Sequence, residues 1–160
     1  MNKPSPIKFV VDCMLGKLAK WLRILGFDTL FFSKAEDDEL IDIARRENLI
    51  LLTRDTGIVE KAKKIKVIFI QSENWKKQVK QVLDELDLRD KVKPYSRCIE
   101  CNVLLKPISK KQAKNLVAPF VYERSDSFSL CPQCGRVFWP GTHHSDMNFK
   151  IEDILKVSIK

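Results

Sequence analysis

Four of the five cysteines fall into two matched pairs, Cys98-Ile99-Glu100-Cys101-Asn102 and Cys131-Pro132-Gln133-Cys134-Gly135. Two residues between paired cysteines let one tight turn aim both sulfurs at a single point. Four soft thiolates are what a tetrahedral Zn²⁺ takes. Asn102 and Gly135 follow the pairs, and these two types best tolerate the left-handed backbone such a turn often needs. Two disulfides are the competing use of four cysteines. No secretory signal is read at the N-terminus, so a cytoplasmic setting and a zinc site at Cys98, Cys101, Cys131 and Cys134 are the expectation. The 29 residues between Cys101 and Cys131 exceed the commonest spacing and imply a long hairpin or an insertion.

The second constellation is acidic. Asp12 directly follows an apolar run, Asp37 opens a helical stretch, and Asp55 ends Leu51-Leu52-Thr53-Arg54-Asp55. In open α/β sheets the site lies outside the carboxyl ends of the strands. Asp12 and Asp55 would project from that edge, and Asp37 would join them from a helix start. Clustered carboxylates repel one another unless a cation holds them. Hard oxygens with room left for water suit Mg²⁺ or Mn²⁺. Such an ion activates a water and stabilises the oxygen leaving a phosphodiester. Structural duties compete for two of the acids. Asp37 can N-cap its helix within Asp37-Asp38-Glu39, and Asp55 can cap the helix after Thr53. Asp12 has no obvious capping duty beyond the next helix. Lys17, Lys20 and Arg23 form a basic face that either holds phosphates or meets solvent.

The elements that must position these groups are readable from hydrophobic period. Ile7 to Val11, Thr29 to Phe32, Leu49 to Leu52 and Val67 to Ile70 are short apolar runs of strand type. Between them, Leu15, Leu18, Ala19, Leu22 and Leu25 recur at helical spacing until Gly26. Asp37 to Arg46 and Thr56 to Lys63 are two further helices, and Trp75, Val79, Val82, Leu83 and Leu86 mark a closing one. Strand–helix alternation argues a parallel sheet covered on both faces. The charged stretch Asp87 to Tyr95, with Pro94, reads as a linker. The expected organisation is therefore an α/β domain over 1–92 and a small metal-stabilised domain over 93–160. The pattern Phe149, Ile151, Ile154, Leu155 allows either a helix or a strand.

Composition narrows the partners. The chain has 160 residues, 44% hydrophobic and 31% charged, and a formal net charge of +8. No apolar run approaches the roughly 18 residues needed to span a bilayer. The positive balance favours polyanions, nucleic acid first.

The run from Asp12-Cys13-Met14-Leu15-Gly16-Lys17 to Leu25-Gly26-Phe27-Asp28 resembles the opening signature of the Mut-seven C-terminal RNase domain family. The resemblance continues through Asp37-Asp38-Glu39-Leu40, Leu51 to Asp55, Arg97 to Asn102 and Cys131 to His143. It implies a PIN-like sheet flanked by helices, a fused zinc ribbon, and metal-dependent ribonuclease activity on RNA. The family's acids map onto Asp12, Asp37 and Asp55. Asp38 is placed to share the role of Asp37, and Glu73 stands one step late for a fourth acid. Cys13 is read as a small buried residue. Trp139 is a candidate to stack a base and His143 to meet a phosphate, unless Phe138 and Trp139 fold back over the ribbon.

The expected function is endonucleolytic hydrolysis of RNA, leaving 5′-phosphate and 3′-hydroxyl ends. Lys17, Arg23 and Arg54 are the candidate phosphate contacts, and the ribbon aids RNA binding or domain packing. The alternative is a non-catalytic RNA-binding or ribosome-associated protein. A protein-interaction adaptor, with the acids only capping helices, is the third reading.

Overall fold

A computed structural model describes residues 6–141 and 144–156. The chain divides into two compact units, the division falling between Tyr95 and Ser96.

The first unit is built on four strands, β1 (Lys8–Val11), β2 (Asp28–Phe31), β3 (Ile50–Thr53) and β4 (Val67–Phe69). All pair in parallel in the order β2-β1-β3-β4. Helices α1 (Gly16–Ile24), α2 (Asp37–Glu47), α3 (Thr56–Lys61) and α4 (Trp75–Glu85) alternate with or follow the strands. The strands are β-branched and leucine runs buried on both sides, as a helix-covered parallel sheet requires. Val10 and Leu51 pack with Leu40, Ile41 and Ala44 of α2 and Ile58 of α3. Strand alternation turns Phe9, Val11 and Leu52 to the opposite face, all fully buried. Asn48, in left-handed conformation at φ 55°, ends α2.

The stretch expected to be a linker is docked. It holds a 3₁₀ turn, Arg89–Lys91, and a buried Leu88. The N–H groups of Lys93 and Tyr95 then donate to the carbonyls of Leu25 and Ile24, at 2.8 and 2.9 Å. Those carbonyls sit at the end of α1, where a helix has no internal donors left to offer. The stretch satisfies them.

In the second unit, β5 (Lys106–Ile108), β6 (Phe128–Leu130) and β7 (Val137–Phe138) form an antiparallel sheet in that order. Between β5 and β6 lie two short helices, α5 (Lys110–Ala113) and α6 (Pro119–Arg124). Ser109 and Gln112 close a capping box at α5, and Pro119 occupies the first turn of α6. Ala113, Val121 and Phe128 form a small core, flanked by Ile108, Val117 and Val137. The long gap between the cysteine pairs is thus a helical insertion. The C-terminal segment, which allowed two readings, is a helix, α7 (His144–Leu155), with Ile151 and Ile154 buried. Among the described residues no helix is long and apolar enough to cross a membrane.

Candidate functional site

Two candidate sites stand in this chain, one on each unit. In the cysteine site the two knuckles repeat one geometry. The Asn102 N–H donates to the Cys98 carbonyl at 2.9 Å, and the Gly135 N–H donates to the Cys131 carbonyl at 2.9 Å. Just outside, the Cys98 N–H reaches the Val103 carbonyl and the Cys131 N–H reaches the Arg136 carbonyl, both at 2.9 Å. Asn102 and Gly135 take φ of 63° and 78°, the left-handed turn expected from their types. The four sulfurs lie within 4.8 Å of one another, and those of Cys98 and Cys134 are 3.8 Å apart. A tetrahedron with Zn–S bonds of about 2.3 Å has edges of roughly 3.8 Å, so the sulfurs fit one Zn²⁺. All the cysteines are free, so the disulfide alternative does not apply.

The Cys98, Cys101 and Cys131 thiols are shifted by burial and by their neighbours. Desolvation, followed by the sulfurs of Cys134, Cys131 and Cys98, pushes Cys101 up to about 12. Burial also raises Cys131, but the N–H groups of Cys134 and Gln133 outweigh it and bring that thiol down to about 7. Burial pushes Cys98 up. Four negative sulfurs this close need a cation, and a metal such as Zn²⁺ would supply it.

The other site is at the carboxyl edge of the parallel sheet. From β1 the chain turns into α1 on one face, whereas from β3 it turns into α3 on the other. That reversal between neighbouring strands opens the crevice where ligands sit in open α/β sheets. Asp12 stands at this point and is only 4% exposed. Its N–H donates to the Leu52 carbonyl at 3.0 Å. Its Oδ2 accepts from the hydroxyl of Thr53 at 2.9 Å. The same hydroxyl accepts from the Asp55 N–H at 2.9 Å. Thr53 is therefore a single buried link between the two acids, and sequence reasoning passed over it. Its signal was a hydroxyl residue inside Leu51-Leu52-Thr53-Arg54-Asp55, polar yet at a strand position facing inward.

Asp55 takes the capping duty open to it. Its Oδ1 accepts from the Gly57 N–H at 2.8 Å, at the N-cap of α3. Asp37 does not cap: Glu36 occupies the N-cap of α2, and Asp37 is its first helical residue. The charge of Asp37 acts, with that of Asp12, on the Cys13 thiol. That thiol is raised by desolvation first, then by a hydrogen bond with Asp12 and by the charges of Asp12 and Asp37. The residue is solvent-exposed, so the neighbouring carboxylates are the cause that carries weight. Cys13 was expected to be buried; it follows β1 in a 3₁₀ turn that leaves its side chain outside the core. Asp38 is exposed and lines a shallow groove with Glu39, Ile41, Asp42, Arg45 and Lys61. Successive helix residues diverge by about 100°, which turns Asp38 away from its neighbour. Glu73 is exposed just before α4, whose N-cap is Asn74. Among the described residues the four cysteines gather within 4.8 Å; Asp12, Asp37 and Asp55 are not drawn into such a set.

The basic candidates separate. The Arg23 Nε donates to the Thr29 carbonyl at 2.9 Å. Thr29 pairs with Phe9, three residues before Asp12, or about 10 Å down the strand. Arg54 lies at the sheet edge, and its Nη1 donates to the Ile70 carbonyl at 3.0 Å, bracing β4. Lys17 is exposed in the first turn of α1, its Nζ 5.0 Å from the Trp75 ring centroid.

A family model for the Mut7-C RNAse domain matches residues 7–151. The chain belongs to that family. Membership fixes the broad class of the protein as an RNase domain and makes RNA the substrate class it suggests. No curated protein and no solved structure matches the chain. In this Mut7-C chain, Phe138 is half-buried in β7, and Trp139 is 39% exposed with its indole leaning over Gly141. His143 lies outside the described residues. His144, at the start of α7, has its Nδ1 3.1 Å from the Asn148 amide.

Proposed function

We propose that this chain is a metal-dependent endoribonuclease working at the carboxyl edge of the β1–β3 pair. The observation that carries the reading is Asp12, a nearly buried carboxylate at the strand-order reversal, oriented by Thr53. Asp12, Asp37 and Asp55 would hold Mg²⁺ or Mn²⁺, ions that prefer hard oxygen donors. Bound there, the ion would supply a water nucleophile at neutral pH and stabilise the departing oxygen. The chain's own part is orientation. Thr53 fixes the Asp12 carboxylate, and its tie to the Asp55 N–H fixes the next loop. Hydrolysis would leave 5′-phosphate and 3′-hydroxyl ends. The Zn²⁺ unit would add a second basic surface for RNA.

Purified protein given Mn²⁺ and a mixed RNA pool should shorten it, and Asp12→Asn should abolish the cutting while the thermal melt stays intact. Equal cutting by Asp12→Asn would remove the assignment. A non-catalytic RNA-binding role draws support from Asp55, whose Oδ1 is committed to a cap. That role predicts a gel shift with no shortening by wild type.

A further inference from the structure

Five lysines of the first unit lie on two neighbouring helices. α1 carries Lys17 and Lys20, and α4 carries Lys76, Lys77 and Lys80. The two helices pack side by side. Trp21 of α1 and Trp75 of α4 stack between them, ring centroids 4.5 Å apart at 20°. The Nζ of Lys17 stands 5.0 Å from the Trp75 centroid, and that of Lys76 stands 5.8 Å away. Trp21 covers one face of that ring, so two ammonium groups crowd around the remainder. Lys17, Lys20 and Lys77 are exposed, and Lys76 and Lys80 are half-buried.

This charge pattern works against the helices that carry it. A helix start favours acids, yet α1 and α4 have none in their first turns. α4 instead places Asp84 and Glu85 at its far end, where Asp84 is 2.7 Å from Arg89. α2, in the same unit, follows the rule: Asp37, Asp38 and Glu39 open it, and Arg45 and Arg46 close it. Glu73 is one acid at the margin of the lysine seam. Concentrated like charge gains most from a polyanion. The seam also starts at the right place, since α1 follows Asp12 and α4 follows β4 at the same sheet edge.

We propose that the α1–α4 seam is the track for the sugar-phosphate backbone of RNA. Lys17, Lys20, Lys76, Lys77 and Lys80 are the phosphate contacts, and Trp75 is the mount that brings Lys17 and Lys76 together. The inference rests on the ribonuclease reading only for naming RNA as the polyanion. It replaces Arg23 and Arg54 as phosphate contacts, because each is tied to a backbone carbonyl. A cation–π contact at an exposed site is weak, so an ammonium can leave the ring for a phosphate.

The test uses full-length protein, a fluorescent oligouridine, and no added Mg²⁺ or Mn²⁺, with a gel confirming that the RNA stays whole. Affinity is read by anisotropy across a salt series. The variant K17Q/K20Q/K76Q/K80Q is compared with a charge-matched control, K61Q/K63Q/K64Q/K66Q, on another surface of the unit. Each phosphate contact contributes about 0.7 to the slope of log K against log salt, so the seam variant should lose up to about 3, with affinity down about tenfold or more. The control should keep wild-type slope, and K17R/K20R/K76R/K80R should restore binding. Equal loss in both glutamine variants, no loss in the seam variant, or no binding by wild type would overturn the track. So would poly-glutamate that binds as tightly and is lost with the same lysines. A protein that binds through the seam yet never cuts with Mn²⁺ defeats the nuclease reading alone. One that cuts with unchanged KM after the seam lysines are removed defeats the track alone.

Discussion

Thr53 has one hydroxyl and two partners. It donates to the Asp12 carboxylate and accepts from the Asp55 backbone, and the side chain is fully buried. Thr53→Val keeps the shape and removes both bonds. A buried carboxylate oxygen and an N–H then lose their partner, which costs about 1–3 kcal/mol. The thermal midpoint should fall accordingly. On the proposed function, in which Asp12 would hold the metal, RNA cleavage should fall by about 10–100-fold. Thr53→Ser should recover most of the cleavage rate. If valine and serine cleave alike, the hydroxyl orients nothing. The acids show how far single residues could be read. Asp12 stood out because an acid after an apolar strand has only the next helix to cap, and at the N-cap of the 3₁₀ turn its side chain makes no capping bond. The roles of Asp37 and Asp55 could not be separated, since either type caps helices. Only the backbone decides: Glu36 takes one cap and Asp55 the other. Cys13 was misjudged because burial follows the turn after β1, and a single small residue carries no period.

At the scale of elements, the strands of the first unit were legible as short continuous apolar runs, and its longer helices by an apolar period of 3.6. The strands end within a residue or two of the expected places. The insertion was illegible for the opposite reason. α5 spans Lys110–Ala113, a single turn that cannot show a period. The knuckles were legible from type and spacing, with Asn102 and Gly135 marking the left-handed turns. Their chemistry gives a prediction. Zinc binding needs all four thiolates, so protons compete for the site. Cys131, brought down to about 7, resists protonation, whereas Cys101, pushed up to about 12, takes up a proton readily once the metal leaves. Lowering pH should therefore release one Zn²⁺ per chain, followed with a chromophoric chelator, and raising pH should reload it. A second prediction concerns the fold. The small core of Ala113, Val121 and Phe128 cannot hold the unit by itself. Chelation should expose the amides of 96–141 to hydrogen exchange while those of β1 and β3 stay protected. Uniform protection after zinc removal would show that the metal is dispensable for folding.

For the whole molecule, the place to cut the chain differs between sequence and structure. Composition put the boundary after Val92, because charges and Pro94 look like a tether. The N–H groups of Lys93 and Tyr95 instead close off α1. We expect residues 1–96 expressed alone to be more stable than residues 1–92. The difference should be about 2 kcal/mol by urea unfolding, for two hydrogen bonds of about 1 kcal/mol each. Equal stabilities would make the docked stretch an ornament of α1. The same scale shows why charge alone is a poor guide. A net charge of +8 states that some polyanion is favoured, but only the packing of α1 on α4 concentrates five lysines on one seam.

The helical insertion between the knuckles has a practical consequence. Its two ends are pinned at one point by the sulfur cluster, so its length is nearly decoupled from the integrity of the clamp. Doubling a closed loop costs only about 0.6 kcal/mol of chain entropy. The turn between α5 and α6, where Leu116 is exposed, is thus a natural port for grafting an epitope or a fluorescent tag without loosening the metal's grip.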